Sequence, residues 1–213
     1  MNYSGFVRTA ALASTLVSLS NAAVVLTFEG VGNLAPVGSF YNGGGGGSLG
    51  IAFGADALAL VDSDAGGSGN IANEPSGETG LFFLSGPAAV MNVAAGFDTG
   101  FSFYYSAALA GSVVVYDGLD GTGNVLATIP LSVQNADNCT GDPNGSYCNW
   151  TPVGVTFSGT ARSVAFGGTA NFIVFDDITL GSSTPGGVIP EPSATVLLGA
   201  GLAAAVVARL RRS

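Results

Sequence analysis

Three carboxylates carry the first chemical possibility in this chain. Glu29 closes the run VVLTFE, and Asp176 and Asp177 lie inside FIVFDDITL. Carboxylate oxygens are hard donors and suit Ca²⁺. If the strands that hold these residues are neighbours, Glu29 stands beside the Asp pair and a Ca²⁺ site can form there. Successive strand side chains point to opposite faces, so only one of Asp176 and Asp177 serves such a site directly. Capping and turn satisfaction is the alternative use of the same acids. Residues 61–70 (VDSDAGGSGN) and 117–124 (DGLDGTGN) have the acid-rich look of Ca²⁺ loops. Gly66 and Leu119 stand where further acids belong, and turn chemistry accounts for both segments.

Cys139 and Cys148 are the only cysteines, separated by TGDPNGSY. In an oxidising compartment so close a pair suggests a disulfide. Asp142-Pro143-Asn144-Gly145 supplies a turn that brings them together. A two-Cys metal site is the alternative, with no His in the chain to complete it. Trp150, Tyr104, Tyr41 and Tyr147 are candidates for stacking on sugar rings, and equally for packing in the core or bracing the Cys loop. The absence of His removes a Ser-His-Asp triad and His-based zinc sites. The absence of Lys removes a Walker A motif and Schiff-base chemistry. A carboxylate-dependent glycan hydrolase stays open, because thirteen acids between residues 24 and 187 offer many pairs. Residues 45–50 spell G-x-G-x-x-G, but no helical pattern follows and no βαβ unit surrounds them. The polyglycine run is expected to be a flexible loop.

The elements that must position these groups read as strands. Short runs rich in Val, Phe, Tyr and Thr are separated by Gly/Asn/Asp/Ser clusters. Eleven such runs fall between residues 24 and 180. Many short strands without intervening helices predict an all-β, two-sheet antiparallel sandwich, jelly-roll-like, with its first strand paired to its last. In GFSFYYS, alternation puts Phe101, Phe103 and Tyr105 in the core and Ser102 and Tyr104 on the other face. Apolar residues make up 47% of the chain, enough to oppose the ordering entropy that keeps polar chains unfolded. The segment 24–187 holds thirteen acids and one base, Arg162, a net charge of −12. Such a body repels phosphate backbones, which argues against nucleic acid as a partner.

The two ends are of a different kind. Residues 1–22 read as a signal peptide: Arg8 gives the positive start, residues 9–19 the apolar stretch and Ser20-Asn21-Ala22 the small residues a peptidase reads. Cleavage is expected after Ala22 or Ala23. At the other end a Gly/Ser/Pro linker precedes Pro190-Glu191-Pro192. An uncharged stretch over residues 193–208 follows, and then Arg209, Arg211 and Arg212. Those sixteen residues span about 24 Å as a helix, short of a bilayer core of about 30 Å. They can still cross if the membrane thins or the arginines snorkel. The arginines then hold the C-terminus in the cytoplasm and act as a stop-transfer lock.

This order of Pro-Glu-Pro, apolar helix and terminal Arg cluster resembles the PEP-CTERM sorting signal of Gram-negative bacteria. The resemblance implies recognition by an exosortase, a membrane-embedded cysteine transpeptidase-like enzyme, and cleavage near Pro190, Glu191 and Pro192. It also implies release or re-anchoring at the cell surface, often alongside exopolysaccharide production. A plain C-terminal membrane anchor would explain the helix and the arginines but not the motif. The stretch from Ala57 to Leu131 resembles the β-sandwich passengers of such proteins, and FIVFDDITL resembles the last strand of carbohydrate-binding-module-like jelly rolls. That second resemblance implies a structural Ca²⁺ near Glu29, Asp176 and Asp177. The expected organisation is a signal peptide (1–22), a sandwich (23–181), a linker (182–189) and a sorting signal (190–213). The expected function is a non-enzymatic structural or adhesive component of the cell surface or extracellular matrix, transiently anchored in the membrane. A carbohydrate-binding module for extracellular polysaccharide is the alternative, and a carboxylate-dependent hydrolase a further one.

Overall fold

A computed structural model describes residues 23–137 and 145–186. Its strands are β1 (Val24–Leu26), β2 (Asn42–Gly44), β3 (Gly47–Ser48), β4 (Ile51–Phe53), β5 (Leu58–Val61), β6 (Thr79–Phe82), β7 (Ala88–Phe97), β8 (Gly100–Ala107), β9 (Gly111–Tyr116), β10 (Val125–Leu131), β11 (Thr151–Thr156), β12 (Ala161–Gly167) and β13 (Ile173–Leu180). No helix occurs among the described residues. Each of the eleven strands read from alternation corresponds to one of these.

Two antiparallel sheets form the sandwich. One runs β11-β8-β13-β6-β5, with β1 also paired to β13. The other runs β10-β9-β12-β7-β4. The first strand pairs with the last as expected, through Val24↔Leu180, Val25↔Thr179 and Leu26↔Ile178. Between the sheets lies an aromatic core. Phe101, Phe103, Phe166 and Phe175 are fully buried, and Tyr105 nearly so. The rings of Phe103, Phe166 and Phe175 meet edge to face, with centroids 5.0–6.1 Å apart. These contacts join β8 and β13 of one sheet to β12 of the other. Aromatic pairs of this geometry add to the stabilisation from area burial.

The polyglycine run departs from expectation. Asn42–Gly44 and Gly47–Ser48 pair as a small two-stranded sheet instead of forming a loose loop. Gly45 and Gly46 lie flat against aromatic rings: a Cβ on Gly46 would collide with the rings of Tyr41 and Phe40. Glycine is needed here because backbone packs directly on aromatic faces. Tyr41 is thereby held in the core, and its hydroxyl accepts the Phe28 N–H at 2.7 Å. Phe28 itself adopts φ 62°, and its ring packs edge-on to Tyr41 and Phe53. The left-handed turn at Phe28 aims the next residue, Glu29, away from the core.

Candidate functional site

Strict alternation fails at the Asp pair. The register between β13 and β8 shifts between Asp176 and Thr179, and Asp177 takes φ 48°. This bulge lets Phe175 and Ile178 both face the core. Asp176 and Asp177 are therefore not split across opposite faces in the simple way alternation implies, because a bulge inserts one residue into the strand.

Asp176 is fully buried. Its carboxylate accepts the Ser76 N–H at 3.0 Å and the Ser76 hydroxyl at 3.1 Å, and the Asp177 N–H at 2.6 Å. Burial pushes its pKa up to about 8. The Asp177 charge adds to the rise, and the hydrogen bonds from Asp177 and Ser76 oppose it. Glu29 Oε1 accepts the Glu78 N–H at 3.0 Å. A Cβ at Gly77, which has φ 52°, would overlap that carboxylate. Glu29 and Asp176 thus grip the same short segment, Ser76–Glu78, from two sides. Burial, reinforced by the nearby charges of Asp176 and Glu29, pushes the Tyr41 hydroxyl up to about 12 despite its bond to Phe28.

That shared segment brings Glu74 and Glu78 beside Asp62 of the acid-rich 61–70 loop. Asp62, Glu74 and Glu78 each offer a carboxylate oxygen, and the three oxygens lie within 4.8 Å of one another. Asp62 is buried and Glu78 exposed. The Asp62 N–H bonds the Glu78 carbonyl at 2.9 Å, which ties the two loops together. Asp62 also accepts the Asp64 N–H at 3.3 Å and the Ser63 hydroxyl at 3.4 Å, the turn chemistry expected of VDSD. The donor set is oxygen only, and Arg162 is the only base among the described residues. Hard oxygens at this spacing fit Ca²⁺. The available signal was Glu74-x-x-x-Glu78 around Pro75-Ser76-Gly77: two like charges on one turn, which repel unless a cation or proton intervenes.

The aromatic candidates separate. Tyr41 is buried and serves the core. Tyr104 is half-buried, in register with Pro152 on one side and Asp176 on the other. Trp150 is half-buried, and its Nε1–H donates to the Ala72 carbonyl at 2.9 Å. Its ring edge lies over Gly80, where a Cβ would press on Val174 and approach the indole. Tyr147 is half-exposed, and its hydroxyl donates to the Asn171 carbonyl at 3.4 Å. It borders a shallow dimple of about 20 Å³, open to solvent, with Leu60, Phe82 and Val174 on its walls and Asn70 and Asn171 beside the Tyr. None of the lining residues is charged. Cys148 is buried and donates its N–H to Asn135 O at 2.9 Å.

Cys139, the signal peptide, Pro190, Glu191, Pro192, Arg209, Arg211 and Arg212 lie outside the described residues. Among the described residues no helix is long and apolar enough to cross a membrane, and the expected C-terminal span is not among them. Residues 188–212 match the PEP-CTERM protein-sorting motif, so the chain carries that signal at its C-terminal end. No curated protein matches the chain. Among solved structures it is similar to the K2 cleaved adhesin domain of Lys-gingipain, at 14% identity and TM-score 0.44, over 74% of this chain and 97% of that one. It is also similar to the carbohydrate-binding module TmCBM61 in complex with β-1,4-galactotriose, at 12% identity and TM-score 0.37, over 70% of this chain and 97% of that one. A third is a carbohydrate-binding module from Cellvibrio mixtus lichenase 5A in complex with cellotriose, at 12% identity and TM-score 0.35, over 59% and 85% of the two chains.

Proposed function

Because the chain ends in a PEP-CTERM sorting signal, we propose that it is exported across the inner membrane and held there by its C-terminal span. An exosortase then cuts it near Pro190-Glu191-Pro192, and the sandwich remains at the cell surface or in the extracellular matrix as a structural or adhesive component. The observation that supports this is the motif match over residues 188–212, following directly on a β body. Replacing Pro190 and Glu191 by Ala keeps the apolar stretch and the arginines, so the span persists while the tag is lost. The double variant is expected to stay full-length in the inner membrane fraction. Surface release equal to wild type would sink the sorting reading.

A second reading, binding of an uncharged polysaccharide, draws support from the concavity beside Tyr147. The dimple is too small to enclose a sugar, but its apolar side chains, aromatic ring and two amides suit the face and hydroxyls of a sugar ring laid across the surface. Its neutral lining on a strongly acidic body disfavours anionic polymers. The lining also holds no carboxylate to protonate a leaving group, which supports binding over cleavage. Neutral oligosaccharides on a glycan array are expected to retain wild-type protein and lose the Tyr147→Ala variant. Equal retention of both, or retention of acidic glycans alone, contradicts this reading.

A structural Ca²⁺ belongs to the same proposal. It would be held by Asp62, Glu74 and Glu78. Glu29 and Asp176 would brace the Ser76–Glu78 segment that positions two of these ligands.

A further inference from the structure

The first residues of the expected linker are part of the fold. The Gly181 N–H donates to Gly100 O at 2.9 Å, and the Thr99 hydroxyl donates to Gly181 O at 2.8 Å. The Ser102 hydroxyl donates to Ser182 O at 2.9 Å. The chain then turns, with the Ser182 hydroxyl accepting the Thr184 N–H at 3.1 Å, and returns so that the Gly186 N–H donates to the Thr179 hydroxyl at 3.0 Å. The seat for this turn is built of missing side chains. A Cβ at Gly154 would overlap the Ser183 carbonyl, and one at Gly100 would stand 2.7 Å from the Ser183 N. Gly100 and Gly154 lie on the neighbouring strands β8 and β11, in which Gly154 faces Ser102 and Thr156 faces Gly100. Two unrelated strands therefore carry glycine where this strap crosses them.

The sequence places the sorting tag close behind. Only Gly187, Val188 and Ile189 separate Gly186 from Pro190. Fully extended, four residue steps reach about 14 Å. A membrane enzyme that grips a peptide on both sides of its cut needs extended chain, and a docked strap leaves three residues of it before the sandwich. Opening the strap would add six more, Gly181–Gly186. The N-terminal exit lies at the same place, since a Cβ at Gly181 would stand 3.8 Å from the Ala23 Cα.

We propose that residues 181–186 are a docked strap that keeps the sorting tag at short reach from the folded body, and that it must peel from Gly100 and Gly154 before the processing enzyme takes the tag. This rests on the sorting reading above. The strap limits processing to the fraction of time it is open.

Two changes test it in the full-length chain. Gly154→Val fills the seat beneath Ser183. A six-residue Gly/Ser insertion between Gly186 and Gly187 leaves the seat intact and lengthens the reach. Both are expected to raise the rate of tag cleavage in a pulse-chase by about tenfold, the equivalent of about 1.4 kcal/mol of docking. In detergent-solubilised full chain, hydrogen exchange at the Gly181 and Gly186 amides is expected to be slow in the wild type and fast in Gly154→Val. Wild-type cleavage rates in both variants, or rapid exchange at both amides in the wild type, would overturn the strap. The insertion variant reads the idea even if Gly154→Val fails to fold. Normal cleavage of the Pro190→Ala/Glu191→Ala chain would remove the sorting reading instead, and the exchange result would still stand.

Discussion

Asp176 is a carboxyl hidden from water, held by Ser76 and Asp177. Its folded pKa of about 8 lies above its ordinary value of 3.8, so between these limits the folded state keeps a proton that the unfolded chain releases. Its contribution to stability is full below about pH 4 and is lost as pH rises towards 8. In chelator, the Tm is expected to fall over that window, and Asp176→Asn is expected to flatten the fall. Ca²⁺ at pH 7 is expected to raise the Tm by binding only the folded state, and Glu78→Gln to shrink that rise. A Tm that ignores both Ca²⁺ and chelator would remove the metal site. A pH profile identical in wild type and Asp176→Asn would show that Asp176 carries no buried proton. At this scale the sequence was legible in part. Glu29 and Asp176 do converge, as the pairing of first and last strands implies. Glu74 and Glu78 are legible only as two like charges on one turn, because their meeting with Asp62 depends on where that turn lands.

Element by element, alternation worked where a strand pairs without a bulge, as β8 does with β11. GFSFYYS put Phe101, Phe103 and Tyr105 inward, as expected. It failed at FIVFDDITL, where a single left-handed Asp177 slips the register. The bulge inserts one residue, so the inward set Ile173, Phe175 jumps to Ile178, Leu180 and the period of two breaks at the Asp pair. The polyglycine segment failed for a related reason. A run without side chains has no pattern to read, and its order comes from the rings of Phe40 and Tyr41 lying against it. The Gly/Ser stretch after β13 likewise carries no pattern to read, and its order comes from the Ser182 carbonyl and the Gly186 amide, which find partners on β8 and β13. The Cys pair is an element-scale expectation as well. A ring closed by Cys139 and Cys148 would contribute about 2–3 kcal/mol by restricting the unfolded chain. Non-reducing peptide mapping of exported protein is expected to recover the two cysteines linked, and free thiols there would contradict it.

The whole molecule has a direction. β1 begins where β13 ends, with Val24 opposite Leu180, so the two ends of the described body lie at one end of the sandwich. Leu84, Leu109, Val133 and Phe172 are exposed large apolar residues. They follow β6, β8 and β10 or precede β13, at the end of these strands opposite the chain exits. The acidic body adds solubility and repulsion from other anionic polymers. Sorting requires the tail to be used and then removed. Intact-mass measurement of the protein recovered from the cell surface tests this most directly. The expected mass lacks the residues before Ala23 and the tail beyond the Pro190-Glu191-Pro192 region. A mature chain that keeps Ser213 and is found in the cytosol would contradict it.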